Sequence, residues 1–104
     1  MLELNQESIP AFINKPFALL YMYTPKCPHC QSFAPVMDAI SKIVPEVQIG
    51  KVNIFEAEDF AVSLGLDGVP YIAIMQNGEH VGGGNTNNAY AILDLIKYLK
   101  VNSV

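Results

Sequence analysis

Cys27 and Cys30 are the two thiols of the chain, and they stand in the tetrapeptide Cys27-Pro28-His29-Cys30. On a helix, side chains at that spacing lie about one turn apart on one side, within disulfide range. The chemistry open to such a pair is thiol-disulfide exchange, in which one thiolate attacks a disulfide and the second thiol displaces the resulting mixed disulfide. Proline suits the first position of a helix, where its missing N–H is no loss, so Pro28 predicts a helix start with Cys27 as the cap. Unpaired backbone N–H groups and the positive end of the helix dipole favour a thiolate there, which makes Cys27 the nucleophile. Cys30, deeper in the helix, is then the resolving thiol. Lys26 and His29 place positive or ionisable groups beside Cys27 and, with Pro28 between the cysteines, are candidate tuners of the redox balance. Lys26 reads equally as a solvated loop residue, and His29 as a solvated helix residue. A C-x-x-C pair is also half of a zinc knuckle, but zinc usually takes four ligands, and His80 is the only distant extra donor. No metal and no organic cofactor is expected.

These residues need elements that hold them. Asn5 or Ser8 can cap a short helix with Ile9, Phe12 and Ile13 on one face and Pro10 in its first turn, ended by Lys15-Pro16. Phe17 to Tyr23 is an apolar run of strand length, as expected for a strand buried on both faces, followed by a Thr24-Pro25-Lys26 loop. From Pro28 to about Val44, Phe33, Val36, Met37, Ile40 and Ile43 recur at helical spacing, with Pro35 inside as a kink and Pro45 as the stop. Val47 to Ile54 alternates like a strand, and strand-helix-strand order predicts parallel pairing through a right-handed crossover. Ala57 to Leu64 reads as a helix closed by Gly65. Tyr71 to Met75 and Glu79 to Val81 flank Asn77-Gly78, the signal of a hairpin with a type I′ turn. Asn87 or Asn88 caps a last helix to about Leu99, with Ile92, Leu93, Ile96 and Leu99 as its buried stripe. Met1 to Leu4 is too short to assign. The pattern predicts an α/β fold with a central mixed four-stranded sheet and helices on both faces.

The 104 residues suit one domain, 1–104, and 51% hydrophobic against 15% charged residues gives ample material for a core. The formal charge of −4 has the wrong sign for phosphate binding, so nucleic acid is not an expected partner. The longest apolar stretch is far shorter than the roughly 20 residues needed to span a bilayer, so no membrane partner is expected. The first fourteen residues lack the layout of a secretory signal, which predicts a cytoplasmic protein. Two closely spaced cysteines are too few for a disulfide scaffold, so the pair reads as chemistry.

The segments FALLYMYTPKCPHCQSFAPVMDAI and VQIGKVNI, with Val69-Pro70 in LDGVPYIAIMQNGE, together resemble the thioredoxin superfamily over nearly the whole chain. The resemblance implies the thioredoxin fold, a cis Pro70 beside Cys27, and a Val69 backbone that pairs with a substrate peptide as an added strand. It also marks departures. Lys26 stands where thioredoxins commonly have Trp, and Tyr21 stands where they bury an acid that helps move the resolving thiol's proton. A phenol with a pKa of about 10 is a poor base at neutral pH. Lys51 matches the lysine usually found near that acid. The Pro28-His29 dipeptide is similar to that of periplasmic dithiol oxidases.

The resemblance implies a thiol-disulfide oxidoreductase exchanging protein disulfides or dithiols through Cys27 and Cys30. Its electrons would come from a reductase or from glutathione, and it would act as a monomer. NGEHVGGGNTNNAYAIL is also similar to the end of glutaredoxins, where a Gly-Gly pair and an Asp hold glutathione. Gly82, Gly83 and Asn85 are the matching contacts in that glutathione-dependent alternative, although Asn85 lacks the charge. A permissive turn between the edge strand and the last helix accounts for the same glycines. A third reading is a non-catalytic interaction module on the same fold.

Overall fold

The computed structural model describes residues 1–86 and 88–102, with side chains through Tyr98. Its elements are β1 (Leu2–Leu4), α1 (Ile9–Ile13), β2 (Ala18–Tyr23), α2 (Pro28–Ile43), β3 (Gln48–Asn53), α3 (Glu58–Leu64), β4 (Tyr71–Gln76), β5 (Glu79–Gly84) and α4 (Ala89–Asn102). A single 3-10 turn, Ile54–Glu56, follows β3 and takes Ile54 out of the strand to which its hydrophobicity had assigned it.

The sheet has five strands in the order β1-β3-β2-β4-β5, one more than the pattern predicts. The extra strand is Leu2–Leu4, which pairs parallel with β3, Leu2 opposite Gly50 and Leu4 opposite Val52. Three residues with only Leu4 buried carry no alternation to read; the edge of β3 supplies the ladder that fixes them. β2 runs parallel to β3 and antiparallel to β4, which pairs antiparallel with β5.

β2 sits in the middle of the sheet and is buried on both faces, so its side chains alternate between two cores. Ala18, Leu20 and Met22 pack with Leu4, Ile9, Phe12, Ile13 and Ala61, from β1, α1 and α3. Leu19 and Tyr21 pack with Phe33, Met37 and Ile40 of α2 and with Ile92 and Ile96 of α4. Within the α2 pattern, Val36 is half-buried and Ile43 is 67% exposed, so the buried stripe of the helix ends at Ile40. On α4, Ile92 and Ile96 are buried and Leu93 is half-buried; the Leu99 side chain lies outside the described residues.

Local chemistry sets the ends of these elements. Asn5 accepts hydrogen bonds from the N–H groups of Glu7 and Ser8, at 2.9 and 3.0 Å, just ahead of α1. Gly65 closes α3 in the left-handed region, at φ 69°. Asn77 and Gly78 both have positive φ, 53° and 87°, which makes the β4–β5 connection the expected type I′ turn. Asn88 Oδ1 accepts from the N–H groups of Tyr90 and Ala91, capping α4; the alternative cap, Asn87, lies outside the described residues.

The glycine run departs from expectation. Gly82, Gly83 and Gly84 extend β5 and do not form a turn: Ile72 pairs with Gly84, Ala73 with Gly83 and Ile74 with Gly82. A bulge between Ile74 and Met75 shifts the register, so Met75 faces His80. Gly83 is needed where it stands. Its φ is 151°, and a Cβ there would collide with the Ile72 carbonyl oxygen. No described helix is long and apolar enough to cross a membrane.

Candidate active site

β2 ends at Tyr23, and the chain turns through Thr24-Pro25-Lys26 into α2, which places both cysteines at the C-terminal end of the central strand. Cys27 is the N-cap residue, with extended backbone (φ −79°, ψ 114°), and Pro28 opens the helix. The Cys30 backbone N–H donates to Cys27 Sγ at 3.1 Å, so the sulfur occupies the place of a capping side-chain oxygen. An amide pointed at sulfur, together with the N-terminal end of a sixteen-residue helix, stabilises negative charge on that atom. Cys27 is partly exposed, whereas Cys30 is 2% exposed, and both are free thiols.

Burial pushes the Cys30 thiol up to about 11, and its hydrogen bond with Cys27 acts the same way against a smaller opposing backbone hydrogen bond with Thr24. The two sulfurs therefore differ in kind. One is reachable and held against a helix amide; the other is sealed behind it and keeps its proton at neutral pH.

Tyr21 lies beneath the pair. Its hydroxyl donates to the Cys30 carbonyl oxygen at 2.6 Å, while its ring stacks on Tyr23 at 5.7 Å and tilts against Phe33 at 6.3 Å. Burial, reinforced by the neighbouring cysteines, holds the phenol well above its ordinary range. Tyr21 is thus a satisfied core residue that braces the first turn of α2, and its hydroxyl is already committed as a donor. Lys51, directly across the β2–β3 ladder from Tyr21, forms no ion pair among the described residues.

Across from the cysteines, the Val69-Pro70 peptide is cis, and the Val69 carbonyl oxygen lies 3.9 Å from Cys27 Sγ. Among the described residues, neither the N–H nor the C=O of Val69 takes part in a backbone hydrogen bond. The N–H is thus free of backbone partners and the carbonyl meets only the Cys27 thiol, which leaves a backbone edge beside the accessible sulfur, as an added strand requires. A shallow groove of about 210 Å³ runs past them, lined by His29, Val69, Pro70, Asn85 and Thr86.

The remaining candidates separate. His29 is exposed at the second helical position and forms one wall of this groove, as well as bordering Ser32, Phe33 and Val36. Lys26 is exposed in the loop, without an ion pair among the described residues. His80 is far from the cysteines in the sheet, on β5, where its Nε2 lies 3.1 Å from the Tyr71 hydroxyl. Among the described residues no group of three or more His, Cys, Asp or Glu is placed to hold a metal ion.

Gly82 and Gly83 are strand residues of β5, and Asn85 has a role that sequence reasoning did not find. Its side-chain amide donates to the Gly68 carbonyl at 2.8 Å and to the Pro70 carbonyl at 3.2 Å. No local spacing signals this contact, which spans seventeen residues and depends on the β4–β5 pairing.

Comparison with known proteins agrees with this geometry. The thioredoxin family profile, described simply as Thioredoxin, matches residues 1–100. Bloodstream-specific protein 2 of Trypanosoma brucei brucei is 30% identical over 97% of this chain, and human protein disulfide-isomerase A4 is 31% identical over 78% of it. The chain spans only 20% and 13% of the length of those two relatives. Mitochondrial thioredoxin 3 of Saccharomyces cerevisiae superposes with a TM-score of 0.85 over 95% of each chain at 21% identity, a likeness of fold. A five-stranded mixed sheet between helices, two cysteines at a helix mouth, a cis proline facing them, and a family match over residues 1–100 agree on one conclusion: the chain belongs to the thioredoxin family.

Proposed function

We propose that the protein is a thiol-disulfide oxidoreductase acting on protein disulfides. Cys27 thiolate attacks one sulfur of a substrate disulfide, forming a mixed disulfide and releasing the other substrate sulfur as a thiolate. Cys30, once deprotonated, attacks Cys27 Sγ, forming the Cys27–Cys30 disulfide and releasing the second substrate thiolate. Two electrons pass from the protein dithiol to the substrate, and the two protein thiol protons balance the two released thiolates through solvent. The reverse sequence oxidises a substrate dithiol. Either direction uses the same residues, and a reductase or small thiol closes the cycle.

The observation that carries this reading is the asymmetry of the pair: a partly exposed Cys27 capped by the Cys30 amide, and a buried Cys30 whose proton is held. The open backbone of Val69 beside Cys27 supports a polypeptide substrate, which would pair there as an extra strand. His29, exposed between the two cysteines, borders that groove and would meet a substrate lying in it. The test is insulin reduction in dithiothreitol by wild type, Cys27→Ser and Cys30→Ser. Cys27→Ser abolishes activity, whereas Cys30→Ser accumulates a mixed disulfide visible by mass spectrometry. Catalysis that survives in both variants refutes the proposal and favours a binding module.

A further inference from the structure

We infer that Asn85 is a positioning residue that holds the Val69 edge of the groove in place against Cys27; the inference rests on the oxidoreductase reading proposed above. The two carbonyls that its amide grips, Gly68 and Pro70, are the neighbours of Val69 on either side. Only the NH₂ end of an Asn side chain can donate to two carbonyls, and both of its hydrogens are used here. The tie therefore restrains the loop from both flanks and leaves Val69 without a backbone partner, its carbonyl meeting only the Cys27 thiol.

Little else fixes this segment through its backbone. Between the end of α3 at Leu64 with its Gly65 cap and the start of β4 at Tyr71, residues 66–70 make no backbone–backbone hydrogen bond among the described residues. Leu66 and Val69 pack partly against the core below, which sets the height of the loop above the sheet. Asn85 adds the lateral restraint. It is delivered there by the glycine strand, since β5 closes on β4 at Gly83 more tightly than a side chain would allow, and Asn85 is the first residue beyond β5.

A polypeptide that pairs with Val69 needs that edge at a fixed distance from Cys27, because near-attack geometry at sulfur is sensitive to small displacements. A small disulfide needs only the sulfur itself. The two substrates therefore separate a positioning role from a general structural one.

The experiment compares wild type, Asn85→Ala and the near-isosteric Asn85→Leu, neither variant having a donor, with two oxidants. One is insulin, with dithiothreitol regenerating the dithiol, and the other is 2,2′-dithiodipyridine, a small neutral disulfide. Losing the two hydrogen bonds should raise KM for insulin about tenfold, with kcat less affected. The rate with dithiodipyridine and the equilibrium potential against glutathione should stay within about twofold of wild type, on the same count of lost interactions. Equal losses against both disulfides, or no loss against either, would overturn the role of Asn85. Wild type inert toward both disulfides would refute the oxidoreductase reading itself, and the inference with it.

Discussion

Raising the pH should release the second step of exchange. The Cys30 thiol is pushed up to about 11, chiefly by burial, which persists after Cys27 has been loaded with substrate. Burial keeps Cys30 largely protonated at pH 7 in the mixed disulfide as well, although the contribution of the Cys27 thiol is gone there, and the displacement rate follows the thiolate fraction. Tyr21 cannot take the proton, because its hydroxyl already donates to the Cys30 carbonyl oxygen and its own ionisation is driven higher still. The displacement should therefore accelerate as pH rises from 7, by up to about tenfold per unit for as long as Cys30 stays largely protonated. Reaction with 2,2′-dithiodipyridine resolves the two steps, since the first pyridinethione leaves on attack by Cys27 and the second on displacement by Cys30. Stopped-flow absorbance gives each rate against pH. A second phase that is flat from pH 7 upward would mean that Cys30 is already deprotonated or is deprotonated by a base within the protein, contrary to a thiol held protonated by burial.

The same shift has a thermodynamic counterpart in the reduced protein. The fold favours the protonated thiol, so stability is fully present below the unfolded value of 9.0 and declines as pH rises toward the folded value of about 11. The loss is on the order of 2 kcal/mol, measured by urea unfolding from pH 8 to 11, and Tyr21 adds to it with the same sign. Tyr21→Phe should cost about 1–2 kcal/mol by removing the buried hydroxyl's hydrogen bond to the Cys30 carbonyl, while the pH slope of the displacement step stays unchanged. Stability equal to wild type would deny the bracing role. Gly83→Ala should destabilise by about 1–3 kcal/mol, through a strained φ and a clash with the Ile72 carbonyl, read as a lowered melting temperature.

Much of the site was legible because its signals are local. Pro28 after Cys27 marks a helix start, and Phe33, Met37 and Ile40 repeat at the period that seats α2 on the sheet. Both faces of β2 are apolar, which reads as a central strand, and Asn77-Gly78 announces the β4–β5 hairpin. What escaped depends on pairing between distant segments. β1 is three residues long and acquires its structure from β3. The glycines of β5 have no side chains with which to show a period, so a strand looked like a turn. The reach of Asn85 to Gly68 and Pro70 follows from the extended β4–β5 ladder, which places its amide over the loop. The identity of the cysteine pair was thus visible in four consecutive residues, while the shape of the groove beside it needed the assembled sheet.

The difference between the two sulfurs is tested most directly by alkylation. The fully reduced protein is exposed to limiting iodoacetamide at pH 7, quenched over time and digested, and each cysteine is quantified by mass spectrometry. With Cys27 partly exposed at the helix mouth and Cys30 buried with its proton retained, label should enter Cys27 first and reach Cys30 only on unfolding or at high pH. Equal labelling of both positions in the native protein at pH 7, or faster labelling of Cys30, would contradict the assignment of nucleophile and resolving thiol.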